Sequence, residues 1–431
     1  MASPPNASVS LDRDDKETAE THAPPPGVPA MMPPPNGGTR AWLQVFGAFG
    51  VFFNTWGLLN TFGVFQTYYE TGNLFVESSS NISWVGSIQA FLVLTGGLIS
   101  GPLYDKGFLR VLIAAGAFLV VFGHMMLSLA TQFWQVVLAQ GFCIGLGAGL
   151  MFTPSVTVLQ SYFSTKIGLA SGIAAAGSSF GGIIYPIVLY RLVGEIGFPW
   201  SVRVIGFICL VTLIPPMVFL RQRVKSPRVR AMFDTTAFTD GGWLLFTFGC
   251  LLGFVGLYVM LFYLSFYGLA TGTADSSMAF YIVPIFNALS MFGRTLPNWL
   301  SDKTGPLNVL IPCALICGVL VLCMQAVHNL AGYVLIAIFF GFFSGAFIAL
   351  PTVVYIALTE DKSRIGTRIG MGFSLLSLGI LIGGPGGGAI LGADQDWTST
   401  WVFGGVMLLA SGVAFTILRI WRFGVKLNTK A

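Results

Sequence analysis

Charge is what this chain has least of. Only 9% of its residues are Asp, Glu, Lys or Arg, against about 25% in an ordinary soluble domain. So few charges cannot cover a water-facing surface, which excludes a large soluble enzyme. Histidine is scarcer still, with 3 residues in the whole chain. His124 lies in an apolar run, where packing is its expected role. The 6 cysteines (Cys143, Cys209, Cys250, Cys313, Cys317, Cys323) also sit in apolar runs, which supports neither a disulfide framework nor a zinc site. Cys313 and Cys317 share a helix face, but no histidine stands beside them. Carboxylates are missing from the middle of every apolar run, so no internal ion pair is expected. No nucleophile–base pair and no metal-ligand spacing appears, so the chain reads as neither an enzyme nor a cofactor protein. Nothing points to a nucleic-acid partner.

Apolar length, by contrast, is abundant. The chain is 55% hydrophobic, with a mean hydropathy of +0.79. Apolar runs fall at 42–65, 82–104, 109–130, 134–158, 167–191, 201–220, 241–269, 276–300, 307–327, 331–357, 366–391 and 400–421. Most reach the roughly 20 residues that span a bilayer. The expected fold class is an all-α polytopic membrane protein with twelve transmembrane helices. The widest polar break, 221–240, divides them six and six. The expected organisation is a disordered cytosolic tail over 1–38, a six-helix bundle over 39–220, a cytosolic loop over 221–240, a second bundle over 241–422 and a cytosolic tail over 423–431. Residues 1–36 are polar and Pro-rich, and no cleavable signal peptide is visible in them. Two sequons, Asn81-Ile-Ser and Asn6-Ala-Ser, are expected to go unused, one too near the membrane and the other cytosolic.

Lysine and arginine set the orientation. All of them except Arg191, Arg203 and Arg294 fall on one side if both termini and the loops after helices 2, 4, 6, 8 and 10 are cytosolic. Acids gather on the other face: Glu70, Glu77, Glu195, Asp275, Asp394 and Asp396. The plasma membrane is the expected location.

The halves repeat one another. Lys166-Ile-Gly-Leu-Ala-Ser-Gly and its continuation to Pro186 resemble Arg364-Ile-Gly-Thr-Arg-Ile-Gly and its continuation to Pro385. These are the fifth helices of the two halves, and small residues at such spacing let membrane helices pack closely. A second echo lies in the polar turns Asp105-Lys106-Gly107 and Asp302-Lys303-Thr304-Gly305. Each sets a carboxylate and an amine at a cytosolic helix end, where they can pair with each other or with helix termini of the other half. Asp105, Lys106, Arg110, Asp302 and Lys303 are therefore the expected gating residues.

Arg294 is a charge inside an apolar run. It lies eight residues before Asp302, roughly 12 Å up the helix. A charge at that depth normally faces a cavity, a partner or a substrate. With no carboxylate in any span, a small anionic substrate is its expected partner, since guanidinium grips a carboxylate through two hydrogen bonds. Asn54, Trp56, Asn60, Tyr185, Asn287 and Phe373, with Ser374, are polar or aromatic residues of helices 1, 5, 8 and 11 placed to line a cavity. Gly145-Leu-Gly147-Ala-Gly149 has the look of a dinucleotide loop, but no strand precedes it, so it reads as helix packing. Gly383-Gly-Pro-Gly-Gly-Gly388 is expected to weaken helix 11.

These residues reach a family. Gly101…Asp105-Lys106-Gly107…Arg110 resembles the loop 2–3 motif of the major facilitator superfamily. Asn36-Gly37-Gly38-Thr39-Arg40-Ala41-Trp42 is similar to the segment before helix 1 of monocarboxylate transporters, with Asn in the usual acid's place. Tyr162-Phe163…Gly172…Gly177…Gly181 is similar to that family's helix-5 motif, closest to the fungal branch. The resemblance implies two six-helix bundles, alternating access to a central site and Arg294 as a substrate contact. At the position of the animal members' helix-8 acid stands Ser290, and at the position of their helix-1 lysine stands Asn60. Both join the expected substrate-binding set. The fungal branch holds uptake carriers and exporters of secondary metabolites, so export of a metabolite or drug stands beside monocarboxylate transport. A substrate sensor on the same scaffold is a third reading. The expected partners are a small anionic substrate, protons and the lipid bilayer.

Overall fold

The computed structural model describes residues 34–164, 166–223, 229–361 and 364–424, and only the backbone at position 302. The expectations for residues 1–33 and 425–431, including the Asn6 sequon, lie outside the described residues.

Long apolar helices account for nearly all of the described chain. They are α1 (Thr39–Glu70), α2 (Ser79–Asp105), α3 (Leu109–Leu127), α4 (Phe133–Tyr162), α5 and α6 (together Ile167–Phe219), α7 (Gly241–Ala270), α8 (Ser276–Thr304), α9 (Pro306–Ala326), α10 (Leu330–Leu358), α11 (Ile365–Leu391) and α12 (Trp397–Phe423). The stretch Ile167–Phe219 runs 53 residues but breaks at Gly197, whose φ of 75° suits glycine and little else. It therefore crosses twice, as α5 (167–196) and α6 (198–219). Twelve spans result among the described residues, and the chain is a multi-pass membrane protein.

The ends of the helices explain much of the polar sequence. Ser78, Asp240, Asp275, Asn329 and Asp396 each accept a hydrogen bond from a backbone N–H in the first turn that follows them. Such caps satisfy donors that the helix cannot pair internally. Two of the acids on the face opposite the termini, Asp275 and Asp396, are thus caps. Asn81 lies in the first turn of α2, and its amide donates to Glu77 at 2.8 Å.

Helix α1 is not regular. It is interrupted at Thr55 and Thr61, leaving a five-residue segment, Trp56–Asn60, between two longer pieces. The hydroxyls of Thr55 and Thr61 each bond the carbonyl four residues back, at 2.8 Å. Helix α4 likewise opens into a π-helical stretch over Val137–Ile144. Irregular turns of this kind often mark functional regions of helices.

The halves meet through matching helices: α2 packs on α11, α5 on α8, and the end of α1 on α7. The glycine-rich run of α11 does not interrupt it, for α11 is helical from Ile365 to Leu391. Its glycines instead admit neighbours closely, so that Ser80 of α2 reaches the Pro385 carbonyl at 2.9 Å. Within the first half, α1 crosses α5 where Gly57 meets Gly181. A Cβ at Gly181 would lie 2.5 Å from the Phe53 carbonyl oxygen and 2.9 Å from the Gly57 Cα. Gly181→Ala is expected to destabilise the protein by about 1–3 kcal/mol. Thermal unfolding in detergent checks this, and an unchanged midpoint would count against the close crossing.

His124 behaves as a packing residue. It is buried in α3, and its Nδ1 lies 2.8 Å from the Val120 carbonyl oxygen.

Candidate functional site

Asn287, Ser290 and Arg294 stand at i, i+3 and i+7 on α8, so they share one helical face. Arg294 is only 9% exposed. One of its terminal nitrogens donates to the Ser178 hydroxyl of α5 at 2.7 Å. Its Nε makes no hydrogen bond within the protein. Among the described residues no ion pair includes it. Its electrostatic neighbour is the Tyr258 phenol of α7. Placing an uncompensated charge here costs on the order of 3 kcal/mol.

Asn287 is fixed by its amide nitrogen, which donates to Gly182 of α5 at 3.2 Å and to Val283 at 2.9 Å. Its Oδ1 is buried without a donor, and so is the Ser290 hydroxyl without a partner. On the other side of the Gly181–Gly182 stretch lies the short central piece of α1. There the Trp56 Nε1–H and the Asn60 amide nitrogen are also buried and unpaired. Trp56 is held by an edge contact with Phe152 of α4, ring centroids 5.5 Å apart. Unsatisfied polar groups therefore stand on the helices that flank α5: donors at Trp56 and Asn60 of α1 and at Arg294 of α8, and an acceptor at Asn287 of α8. Buried polar groups are paired in the great majority of cases. On α8, the unpaired Nε of Arg294 stands on one helical face with the unpaired Asn287 Oδ1 and Ser290 hydroxyl, polar capacity that a ligand with acceptor oxygens could meet.

Two expected contacts are engaged elsewhere. The Tyr185 hydroxyl donates to Asn54 Oδ1 at 2.8 Å, and the Asn54 amide nitrogen donates to Gly50 and Thr212. Each satisfies the other, so they tie α1, α5 and α6 together. Phe373 is half-buried on α11, its ring 6.1 Å from that of Tyr355.

The expected gating turns are organised by a segment that the loop motifs alone did not reveal. Asp105 does not pair with Lys106. Both of its oxygens bind Arg230, which donates through Nε at 2.8 Å, a terminal nitrogen at 3.0 Å and its backbone N–H at 3.0 Å. Lys106 and Arg110 are exposed and form no ion pair among the described residues. Lys303 lies over the Trp299 ring, 3.8 Å from its centroid. The Asp302 side chain lies outside the described residues.

Beyond Arg230 the segment continues along α11. The Thr367 hydroxyl donates to the Ala231 carbonyl at 2.9 Å. Asp234 receives Arg364 and Arg368, both at 3.1 Å. Asp240 receives Arg368 at 2.9 Å and Arg422 of α12 at 2.8 Å. Burial alone would raise the Asp234 carboxyl, but the Thr236 hydroxyl and Arg368 outweigh it and hold it below the ordinary carboxylate value. Residues 230–240 thus form an ionic clasp over the ends of α2, α11, α7 and α12, on the face that carries the termini. Two acids embedded in an arginine-rich polar break were the available sequence signal.

The segments Asn36–Trp42 and Tyr162–Gly181 meet on that same face. The Asn36 backbone N–H donates to Tyr162 at 3.0 Å, and its Oδ1 accepts from the Ser164 N–H at 2.6 Å. Trp42 packs edge-on against Phe163, centroids 5.4 Å apart. Asn36 has a φ of 53°, a conformation asparagine tolerates well.

A shallow hollow lined by Tyr267, Gln325, His328 and Trp397 lies at the opposite end of α7. It holds no arginine, lysine or carboxylate, and offers an anion nothing comparable to Arg294. Among the described residues no group of three His, Cys, Asp or Glu side chains is arranged to hold a metal ion.

Known proteins place this architecture. The sequence profile described as Major Facilitator Superfamily matches residues 44–347 and 295–426. The MFS-type transporter dbaD of Emericella nidulans is 56% identical over 406 residues, covering 94% of this chain and 91% of that one. The aspyridones efflux protein apdF of the same organism is 36% identical, covering 94% of this chain and 82% of its own length. In three dimensions the chain resembles the nucleoside transporter NupG with a TM-score of 0.70 at 15% identity, over 87% of this chain and 99% of that one. That likeness speaks to the fold alone.

Proposed function

Since the chain belongs to the Major Facilitator Superfamily, we propose that it exports a small organic metabolite carrying an ionisable acidic oxygen, by alternating access across the plasma membrane. The carrying observation is Arg294, buried at 9% exposure with no carboxylate neighbour among the described residues. A guanidinium so placed is stabilised by an anion that arrives and leaves. Asn60, Trp56, Asn287 and Ser290 supply the neutral hydrogen bonds, and Phe373 an apolar wall. Asn54 and Tyr185 position α1 against α5. Export is favoured over uptake because a relative aligned over most of both chains is called an efflux protein. The motifs at Asn36–Trp42 and Tyr162–Gly181 support membership of the monocarboxylate-porter-like branch.

In this reading residues 39–220 and 241–422 are the two bundles that rock about the central site. The face carrying the termini is cytosolic, as the lysine and arginine bias requires. The clasp over residues 230–240, with Asp105, is the cytosolic gate, and protons are the coupling ion.

Metabolite profiling of matched fungal cultures with and without the chain tests the proposal. Loss of the chain is expected to retain one acidic product inside the cells and deplete it from the medium. Identical profiles in both compartments would overturn it.

A further inference from the structure

Glu70 ends α1 on the face opposite the termini and is part-buried. Its carboxylate accepts from the Gln66 amide at 2.9 Å and from the Ser79 hydroxyl at 2.8 Å. No lysine, arginine or histidine among the described residues pairs with it. The bonds continue inward from there. The same Gln66 amide donates to the Ser83 hydroxyl at 3.0 Å, and Ser83 shares a short hydrogen bond with the Tyr263 hydroxyl of α7. Tyr263 in turn lies 3.2 Å from the Ser79 carbonyl of α2 and 3.1 Å from the Gly384 carbonyl of α11. Gln66, Ser83 and Tyr263 are fully buried. This chain of bonds thus begins at a carboxylate and ends where the two halves touch.

We propose that Glu70 is a proton-binding site that controls opening of the end opposite the termini. The proposal rests on the transporter reading and extends it by naming where a coupling proton binds. In the ionised state the carboxylate is acceptor only, and it orients the Gln66 amide and the Ser79 hydroxyl as donors. Taking up one proton from solution converts one oxygen into a donor. That O–H needs an acceptor, and where it points at Gln66 it is met by the amide oxygen when the Gln66 amide turns. Turning Gln66 exchanges its N–H at Ser83 for its Oε1, already 3.3 Å from that hydroxyl, so Ser83 donates to Gln66 and accepts from Tyr263, which draws the Tyr263 proton off the Ser79 and Gly384 carbonyls and loosens the contact between α2, α7 and α11. Releasing the proton restores the closed arrangement. The ionised form therefore favours closure, and closure is lost as pH falls.

Among the described residues no lysine, arginine, histidine or second carboxylate pairs with Gln66, Ser79, Ser83 or Tyr263. Packed against this end of α1, α2 supplies Ser79 and Ser83, α7 supplies Tyr263, and α4 supplies Gln140, which accepts from Tyr69 of α1 at 2.6 Å, while Tyr68 and Tyr69 of α1 pack on Phe198 of α6. Glu77 precedes α2, is exposed and is bound to Asn81. Asp275 is occupied as the cap of α8.

The test needs no transported substrate. Ser80, which holds the Pro385 carbonyl at the same contact, is replaced by cysteine (S80C), with Cys143 and Cys323 changed to serine. The full-length protein in phosphatidylcholine vesicles is then labelled with a membrane-impermeant maleimide. The thiol's own ionisation is common to all variants, so labelling is compared with that of the same protein carrying E70Q. Lowering the pH from about 8 to about 5 is expected to raise labelling by about tenfold relative to E70Q. E70D is expected to keep the pH response, and Gln66→Leu to abolish it while leaving Glu70 in place. A relative response near one in the Glu70 protein, or an equal response in E70Q, overturns the proposal. Should E70Q fail to fold, E70D and Q66L decide the question: loss of the response in E70D, or its survival in Q66L, overturns it. Because no metabolite is involved, failure here leaves the export reading standing, and failure of the profiling experiment leaves this result readable.

Discussion

Arg294→Ala is expected to weaken transport of the exported metabolite by roughly 100-fold in apparent affinity. Charge-assisted hydrogen bonds contribute about 1.5–3 kcal/mol each, and about 3 kcal/mol corresponds to a factor of roughly 100. The loss is large because the substrate's charge is then left desolvated beside groups that remain in place. Arg294→Lys keeps the charge and loses the planar fork, so about a tenfold loss is expected. Ser178→Ala removes only the bond that orients the guanidinium, at 2.7 Å in the intact protein, and a loss of about threefold is expected. Trp56→Phe deletes one neutral donor, worth about 1 kcal/mol. The measurement is the concentration dependence of efflux from vesicles, using the product found by profiling, with thermal unfolding as the folding control. A neutral substrate would leave R294A unimpaired and would remove the anchor role. The ranking of the four variants also separates recognition from structure. A packing role for Arg294 would lower stability in R294A and spare affinity in the protein that remains.

The twelve spans were legible because each depends on something local. An apolar run of bilayer length needs no partner to be recognised, and the charge bias constrains the count. The one place where helices ran together, Ile167–Phe219, carries its own break at Gly197. Arg294 was legible for a related reason, since one charge in hydrocarbon is conspicuous whatever surrounds it. What sequence could not show was which polar groups satisfy one another. Asn54 and Tyr185 looked as available as Asn60 and Trp56, yet 131 positions of separation close to a 2.8 Å bond between the first two. The partner of Asp105 lay 125 positions away in Arg230. It was hidden in a polar break that reads as a linker until its acids are seen against the arginines of α11. In sequence Glu70 stands five positions past the end of its apolar run, at 65, and reads with the other acids of that face. Its distinguishing feature, a buried relay to the other half, arises only when α1, α2 and α7 are packed.

Asp105→Asn is expected to slow turnover by about tenfold while leaving the concentration dependence of efflux unchanged. The pair it breaks is bidentate, and Asp105 is nearly buried, its side chain 4% exposed against 22% for Arg230. Partial exposure of the arginine discounts the pair's worth to about 1–2 kcal/mol, and about 1.4 kcal/mol is a tenfold change in an equilibrium. The effect falls on turnover because, in the gate proposed above, the clasp that joins α2 to the segment over α11 has to open and close in each cycle. Weakening it depopulates one of the two states that each cycle must visit, and the central donors are untouched. The charge-exchanged double variant Asp105→Arg with Arg230→Asp is expected to recover part of the rate and no more. The wild-type carboxylate also accepts from the Arg230 backbone N–H at 3.0 Å, which a swapped arginine cannot do. Asp234→Asn should slow turnover too, through its pairs with Arg364 and Arg368, and should combine non-additively with Asp105→Asn because one segment carries both. Additive losses would mean that two independent contacts hold this end, and unchanged rates in both variants would remove the clasp from the transport cycle.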